Sequence, residues 1–255
     1  MNFVLSLGYN TKSELMKTIK IISFSLLLIG ASACRKEPFW GINGKGSNTT
    51  QVIPYKSFSK IDLAFDADLL YTQDSVYKIE ISAQSNIQEV IETEVSKNVL
   101  TFKASRKLWN HNPIQIIVHS PAIEGFAMSG SGNVYAQNPL QTSTMDLNVS
   151  GSGGIEIPVL NADNINTSVS GSGKIKVLDG TSKNHMIDIS GSGNIDCLNM
   201  RSSKSTISVS GSGEVKIWAA EQLDIDVSGS GKVSYKGYPT INTKISGSGK
   251  IIHLN

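Results

Sequence analysis

The chain holds only two cysteines in 255 residues, Cys34 and Cys197. That excludes the disulfide frameworks that stabilise many small exported domains. Its four histidines, His111, His119, His185 and His253, stand singly without metal-ligand spacing. They read as isolated surface or loop residues, and neither a metal nor a cofactor is expected. Arg201 is the only arginine of the C-terminal half, and Asp188, Asp196, Asp224 and Asp226 are dispersed. The local cluster of carboxylates or arginines that a carbohydrate-active enzyme requires is missing. Charge of one sign is missing as well, with 23 basic against 21 acidic side chains. Residues 1–33 carry Lys12, Lys17, Lys20 and Glu14, and without them 20 of each sign remain. A balanced chain leaves no electrostatic footprint for nucleic acid, so no such partner is expected.

What the chain has instead is a repeat. Ser-Gly-Ser-Gly begins at Ser129, Ser150, Ser170, Ser190, Ser210, Ser228 and Ser246, at spacings of 21, 20, 20, 20, 18 and 18 residues. A period of this size is the mark of a solenoid in which each repeat is one coil. The flanks alternate, as in Leu147-Asn148-Val149 before one tetrad and Ile155-Glu156-Ile157 after it. This period of two predicts strands with one buried face. Carried through the glycines, it predicts Val149, Gly151, Gly153 and Ile155 on the apolar side and Ser150, Ser152 and Glu156 in water. Cys197 falls on the inward phase with Ile157, Val177 and Ile217, and reads as a small buried hydrophobe.

The other solenoids lack their marks here. There is no Leu/Asn consensus, no 3.6-residue periodicity, no hexapeptide period, and no Asp after the glycine turn for calcium. Parallel crossovers favour the right hand. The expected fold is therefore all-β: a single-stranded right-handed parallel β-helix of about 20 residues per coil with a less regular N-terminal β-rich cap. Seven coils would form a rod of roughly 30 Å.

Ahead of the repeat, Met16 to Lys20 is basic, Ile21 to Ile29 is a short apolar core, and Ala31-Ser32-Ala33-Cys34 follows. Residues 1–33 read as a secretory signal peptide, with Met16 as its natural start, too short to span a membrane. The small residues before Cys34 resemble a bacterial lipobox, with Ala31 where Leu is usual. Cys34 is then the lipidation site, and the membrane is a partner through that anchor. An ordinary cut near Ala33 is the other reading. Residues 34–50 read as lipidated cysteine and tether, and 51–255 as one β-helix domain. Within it, 51–125 form the irregular first coils and cap, and 126–255 the seven coils. Strands are expected around Ile61–Phe65, Lys78–Ile81, Val99–Phe102 and Ile114–Val118. Ile87, Val90, Ile91 and Val95 suggest one short helix with Asn86 as its N-cap.

Phe58 to Tyr71, Ile91 to Val95, Val99 to Phe102 and the serial Val-Ser-Gly-Ser-Gly strands resemble the auto-transporter adhesin head, or GIN domain, family typical of Bacteroidota lipoproteins. The resemblance covers roughly residues 50–255. It implies a β-helical domain and an adhesive role, and brings no catalytic residues. Where the family shows Ser-Gly near Phe65, this chain has Leu63-Ala64, which implies a degenerate first coil.

The first serine of each tetrad invites a nucleophile reading, but a catalytic serine is distinguished by a base and an orienter, and here every coil is alike. Glycine-rich phosphate binding needs a helix after the turn, and these tetrads run from strand to strand. Two binding surfaces remain. One is a ladder of Ser150, Ser152, Ser170, Ser172, Ser190, Ser192, Ser210 and Ser212 with its equivalents, against the plainer reading of serine as small, polar and compatible with glycine bends. The other is Trp109, beside Asn110, His111 and Asn112. Trp218 falls on the outward phase, at a lateral contact. The chain thus reads as a non-enzymatic, lipid-anchored outer-membrane protein, periplasmic or surface-facing, that binds a glycan or protein. A structural or assembly module and a carbohydrate-active enzyme are the alternatives. The last coil, with Ile245, Ile251 and Ile252, is expected to pair with a second copy.

Overall fold

Alternating apolar and polar residues draw most of the described residues into strands, and in-register stacking then makes the core. The computed structural model describes residues 41–55 and 57–254. Cys34, the signal peptide and the first part of the expected tether lie outside the described residues.

Each repeat contributes a long strand ending in the first glycine of its tetrad and a short strand beginning just after the second. The first pair is β8 (Gly125–Gly130) and β9 (Asn133–Ala136). It is followed by β10 (Leu140–Gly151) and β11 (Gly154–Ile157), then β12 (Leu160–Gly171) and β13 (Lys174–Val177). After β14 (Gly180–Gly191), the short and long segments fuse into β15 (Asn194–Gly211) and β16 (Glu214–Gly229). The body closes with β17 (Lys232–Lys236), β18 (Thr240–Gly247) and β19 (Lys250–His253). All of these pair in parallel with their counterparts one coil away. Gly130, Gly151, Gly171, Gly191, Gly211, Gly229 and Gly247 form one column by that register. Val149, Val169, Ile189, Val209 and Val227 form the adjacent inward column, each at most 2% exposed. The body is thus the expected parallel β-solenoid.

The tetrad makes the corner, and its two glycines do different work. The first lies at φ between +112° (Gly171) and +136° (Gly130), a backbone region that side chains disfavour. A Cβ on Gly151 would stand 2.6 Å from the carbonyl oxygen of Gly130 in the coil below. The second glycine is buried and faces inward, where a Cβ on Gly213 would meet Ile189 Cγ2 at 2.6 Å. This corrects the expected phase. Gly151, Gly171, Gly191, Gly211 and Gly229 are not on the buried face but at least partly exposed, because the positive φ turns the chain there.

Inside, β-branched residues fill most columns, as in Ile155, Ile175, Ile195, Val215 and Val233. Cys197 is buried as expected, and burial pushes its thiol up to about 12. A polar seam interrupts the apolar filling. Thr167, Ser182, His185, Ser202 and Ser205 are all buried. Thr167 Oγ1 and His185 Nε2 are 2.9 Å apart, and Ser182 and Ser202 share a 2.7 Å hydroxyl contact. His185 is thus a core residue, not the surface or loop histidine expected. Burial lowers its imidazole to about 3, so the ring is neutral.

The N-terminal end is built differently. Strands β2 (Lys60–Leu63) and β3 (Asp68–Gln73) form a coil directly beneath β8 and β9. The register places Ala64-Phe65-Asp66-Ala67 where the next coil has Ser-Gly-Ser-Gly. Below this lies the coil of β6 (Val99–Ala104) and β7 (Gln115–Ser120), whose corner is the long loop 105–114. The chain therefore lays down one coil, drops below it for another, and climbs past both to β8. Antiparallel strands cover this end. β5 (Ile91–Ser96) pairs with β6, β4 (Lys78–Gln84) with β7, and β1 (Asn48–Ile53) with β4. Lys97 and Asn98, both at positive φ, close the β5–β6 hairpin.

Two expectations fail here. The helix α1 is only Ser85–Gln88, starts after Gln84 without a side-chain cap, and leaves Ile91 and Val95 to a strand. Asn86 instead pins the incoming chain, donating from Nδ2 to Asn43 O (2.8 Å) and accepting from Lys45 N (2.9 Å). The expected tether also ends early, since residues from Gly41 onward already dock on the loop 105–114. Ile42 N donates to Lys107 O (2.8 Å), and Trp109 N donates to Ile42 O (2.9 Å).

Candidate binding surface

The tetrad corner places two hydroxyls per coil on the outside. The serines at both positions of every tetrad, from Ser129 and Ser131 to Ser246 and Ser248, are exposed. No hydrogen bond among the described residues uses any of their side chains, although their backbones are tied down. Ser172 N, for example, donates to Gly151 O (2.9 Å) and Ser192 N to Gly171 O (2.8 Å). The ladder is thus a rigid row of free hydroxyls at the strand spacing of about 4.8 Å. The eight serines singled out by sequence, Ser150 through Ser212, are its centre.

Beside it runs a shallow groove of about 500 Å³ whose lining includes Ser152, Tyr135, Glu156, Lys176, Asn194 and Asp196. Gly154 makes the notch, because it stands in register between Asn133 and Lys174 without a side chain. Charges on the two flanks pair across coils, Lys232 with Glu214 at 3.0 Å and Lys244 with Asp226 at 3.4 Å. Such exposed pairs hold little stability, but they leave the edge without a single-sign field. The surface is suited to polar, uncharged contacts. Among the described residues no three His, Cys, Asp or Glu side chains gather as a metal site.

Trp109 does not join this edge. It stands 40% exposed in the loop 105–114, its indole against Gly41, where a Cβ would overlap the ring. Lys107 Nζ lies 6.0 Å from its centroid. Its surroundings make it a clasp for the incoming segment.

A further grouping escaped the sequence reading apart from Trp218. The register sets Arg201 beside Trp218, and Trp218 beside Lys236, in successive coils. A bulge after Cys197 and the shorter 18-residue spacings hide this alignment from a fixed period. His253 joins them by stacking on Tyr235.

Fold and surface together define a parallel β-solenoid that carries its polar groups on an outer edge made by the repeat itself. The chain belongs to the family described as "Putative auto-transporter adhesin, head GIN domain", which residues 57–239 match. Its fold is similar to that of a putative adhesin from Bacteroides fragilis, at 30% identity and TM-score 0.79, over 84% of this chain and all of that one. It is also similar to a putative adhesin from Parabacteroides merdae, with 23% identity, TM-score 0.70, and 84% and 99% coverage. A putative lipid binding protein from Parabacteroides distasonis matches at 25% identity and TM-score 0.70, again over 84% and 99%. None of the curated proteins compared with the chain matches it.

Proposed function

We propose that the protein is an exported, lipid-anchored module of the cell envelope that binds through its serine edge and acts in adhesion. The observation that carries this is the row of exposed hydroxyls without internal partners, held rigid by backbone bonds. Such a row suits a ligand rich in hydroxyls, a glycan above all, with a protein surface as the alternative ligand. Adhesin names among the relatives support an envelope location, and the basic, apolar and small-residue order of Met16 to Cys34 supports outer-membrane anchoring through Cys34. The relative named for lipid binding makes a lipid vesicle a necessary arm of any ligand screen.

The test is a glycan array probed with the protein and with a variant carrying Ser150→Ala, Ser170→Ala, Ser190→Ala and Ser210→Ala. Loss of binding at least tenfold with an unchanged melting temperature is expected, since exposed hydroxyls contribute within about 0.5 kcal/mol to stability. Equal binding by the variant would reduce the ladder to a structural device. For the anchor, Cys34→Ser should release the protein from membranes and abolish labelling by a fatty-acid probe.

Assembly is the second reading. Ile245, in the column that is buried in earlier coils, is 45% exposed in the last described coil, and Ile252 is 36% exposed. A second copy pairing there would cover both. Sedimentation of the protein and of Ile245→Lys decides it: a concentration-dependent dimer lost in the variant supports assembly, and a monomer throughout removes it.

A further inference from the structure

The grouping around Trp218 lies at the far end of the short wall from the tetrad corner, and it forms a cleft of about 460 Å³. That volume is in the range of small-ligand sites. Its elements come from successive coils. Arg201, Trp218 and Lys236 are register neighbours, which sets an indole between two cations at the strand spacing of about 4.8 Å per step. The chain then turns at Gly237, at φ +95°, where a Cβ would overlap Ala219 O and lie 3.2 Å from Trp218 Cδ1. The turn throws Tyr238 outward to 90% exposure, the highest of any large hydrophobic residue described.

His253 fixes this wall. Its ring stacks on Tyr235 at 4.8 Å and meets Tyr238 edge-on at 5.3 Å. Its Nε2 is 2.8 Å from Gly237 O, and a carbonyl only accepts, so Nε2 carries the proton.

Two features of this cleft point to a ligand. No acidic side chain lines it, and neither the Arg201 nor the Lys236 side chain has an ion-pair or hydrogen-bond partner among the described residues. Other cations of the solenoid, such as Lys174, Lys204 and Lys216, also stand without an ion pair among the described residues, but these two flank an indole in a cleft. Two cations without carboxylate partners flanking an aromatic ring, with a second, exposed aromatic held edge-on by His253, offer a flat apolar platform and a carboxylate clamp together. From this geometry we infer that the cleft binds an acidic saccharide of the uronic-acid class. The sugar face lies on Trp218 and Tyr238, and its carboxylate lies between Arg201 and Lys236. This site is separate from the serine edge, and its proposal does not depend on that edge.

Titration calorimetry with a galacturonate oligosaccharide, its methyl ester and phosphatidylglycerol vesicles tests this. Saturable binding of the free acid is expected, weaker by at least tenfold for the ester and at high salt. Arg201→Gln with Lys236→Gln should lower it at least tenfold. Tyr238→Ala should lower it severalfold, without a fold cost because that ring is exposed. The fourfold serine-to-alanine variant should bind the acid normally, which separates this site from the tetrad edge. No binding of the acid, equal binding of the ester, or an acid affinity unchanged in Arg201→Gln/Lys236→Gln would overturn the proposal. Binding to vesicles alone, lost in the same variant, would assign the cleft to a lipid surface and overturn it equally.

Discussion

The two ends of the solenoid solve the same problem with different residues. In the body, from β8 onward, each coil turns on Ser-Gly-Ser-Gly and fills its interior with columns of Val and Ile. In the first two coils the tetrad is absent, and large side chains fill the interior. Tyr71 and Phe102 are fully buried, and Tyr71 packs edge-on at 5.2 Å against Phe126, the first large side chain of the coil above. The contrast at the corner is informative. A Cβ on Gly130, which stacks on the Phe65 coil, would meet nothing nearer than 3.7 Å. One on Gly151, which stacks on Gly130, would be 2.6 Å from a backbone oxygen. The tetrad is therefore demanded by stacking one tight corner on another as well as by the turn. Where the coil below has a different corner, part of that demand disappears.

The polar seam draws a second contrast. At the N-terminal end the buried Tyr71 hydroxyl finds Ser120 Oγ at 2.9 Å. In the body, His185 Nδ1 and Ser205 Oγ are buried without a hydrogen-bond partner. The first coil has an orphan of its own, since Asp62 Oδ1 is also buried without a partner and burial raises that carboxyl. Lys60 Nζ binds Asp146 Oδ2 at 2.7 Å and joins the two regions. Burial raises the Asp146 carboxyl, but the hydrogen bonds from Lys60 and Asn166 outweigh it and hold the pKa below the ordinary value.

The largest expected effect strikes the body. Val209→Asp puts a charge into a closed apolar column and should cost more than about 4 kcal/mol, read as loss of the folding transition. Next, installing the body's glycine in the first coil, Phe65→Gly, should destabilise by about 3–5 kcal/mol through the lost ring, measured by denaturant melts. A stabilised variant would mean that the tetrad is the better corner everywhere.

The seam predicts a pH dependence. Folded His185 stays neutral down to about 3, whereas the unfolded chain takes up that proton near 6.5. Its contribution to stability is full above that value and falls as pH drops from 6.5 toward 3. At about 1.4 kcal/mol per unit, roughly 2 kcal/mol is lost by pH 5, and His185→Leu should flatten that part of the profile. The smallest of these effects compares corners. Gly130→Ala and Gly151→Ala share a backbone cost of about 1–3 kcal/mol, and Gly151→Ala should melt lower because only it adds an overlap. Equal melting temperatures would remove the stacking argument.

The repeat was legible because its signal is local. Period two and a recurring glycine pair specify strand, corner and inward column within some twenty residues, and Val149 through Val227 stand where that pattern puts them. The serine edge follows from the same phase. The phase misleads only at Gly151 and its equivalents, where a positive φ turns the chain. Tertiary structure decided what surrounds His185, since its column neighbours, Met145, Ile165, Ser205 and Leu223, come from other coils. It also decided that Ile91 to Val95 pairs as a strand on β6, because an open coil end offers unpaired backbone groups that outweigh a weak helical pattern. It brought Arg201, Trp218 and Lys236 side by side across a bulge that no fixed period reveals. Local pattern determined what each coil is, and cross-coil register, which depends on residues some twenty positions apart, determined what the coils make together.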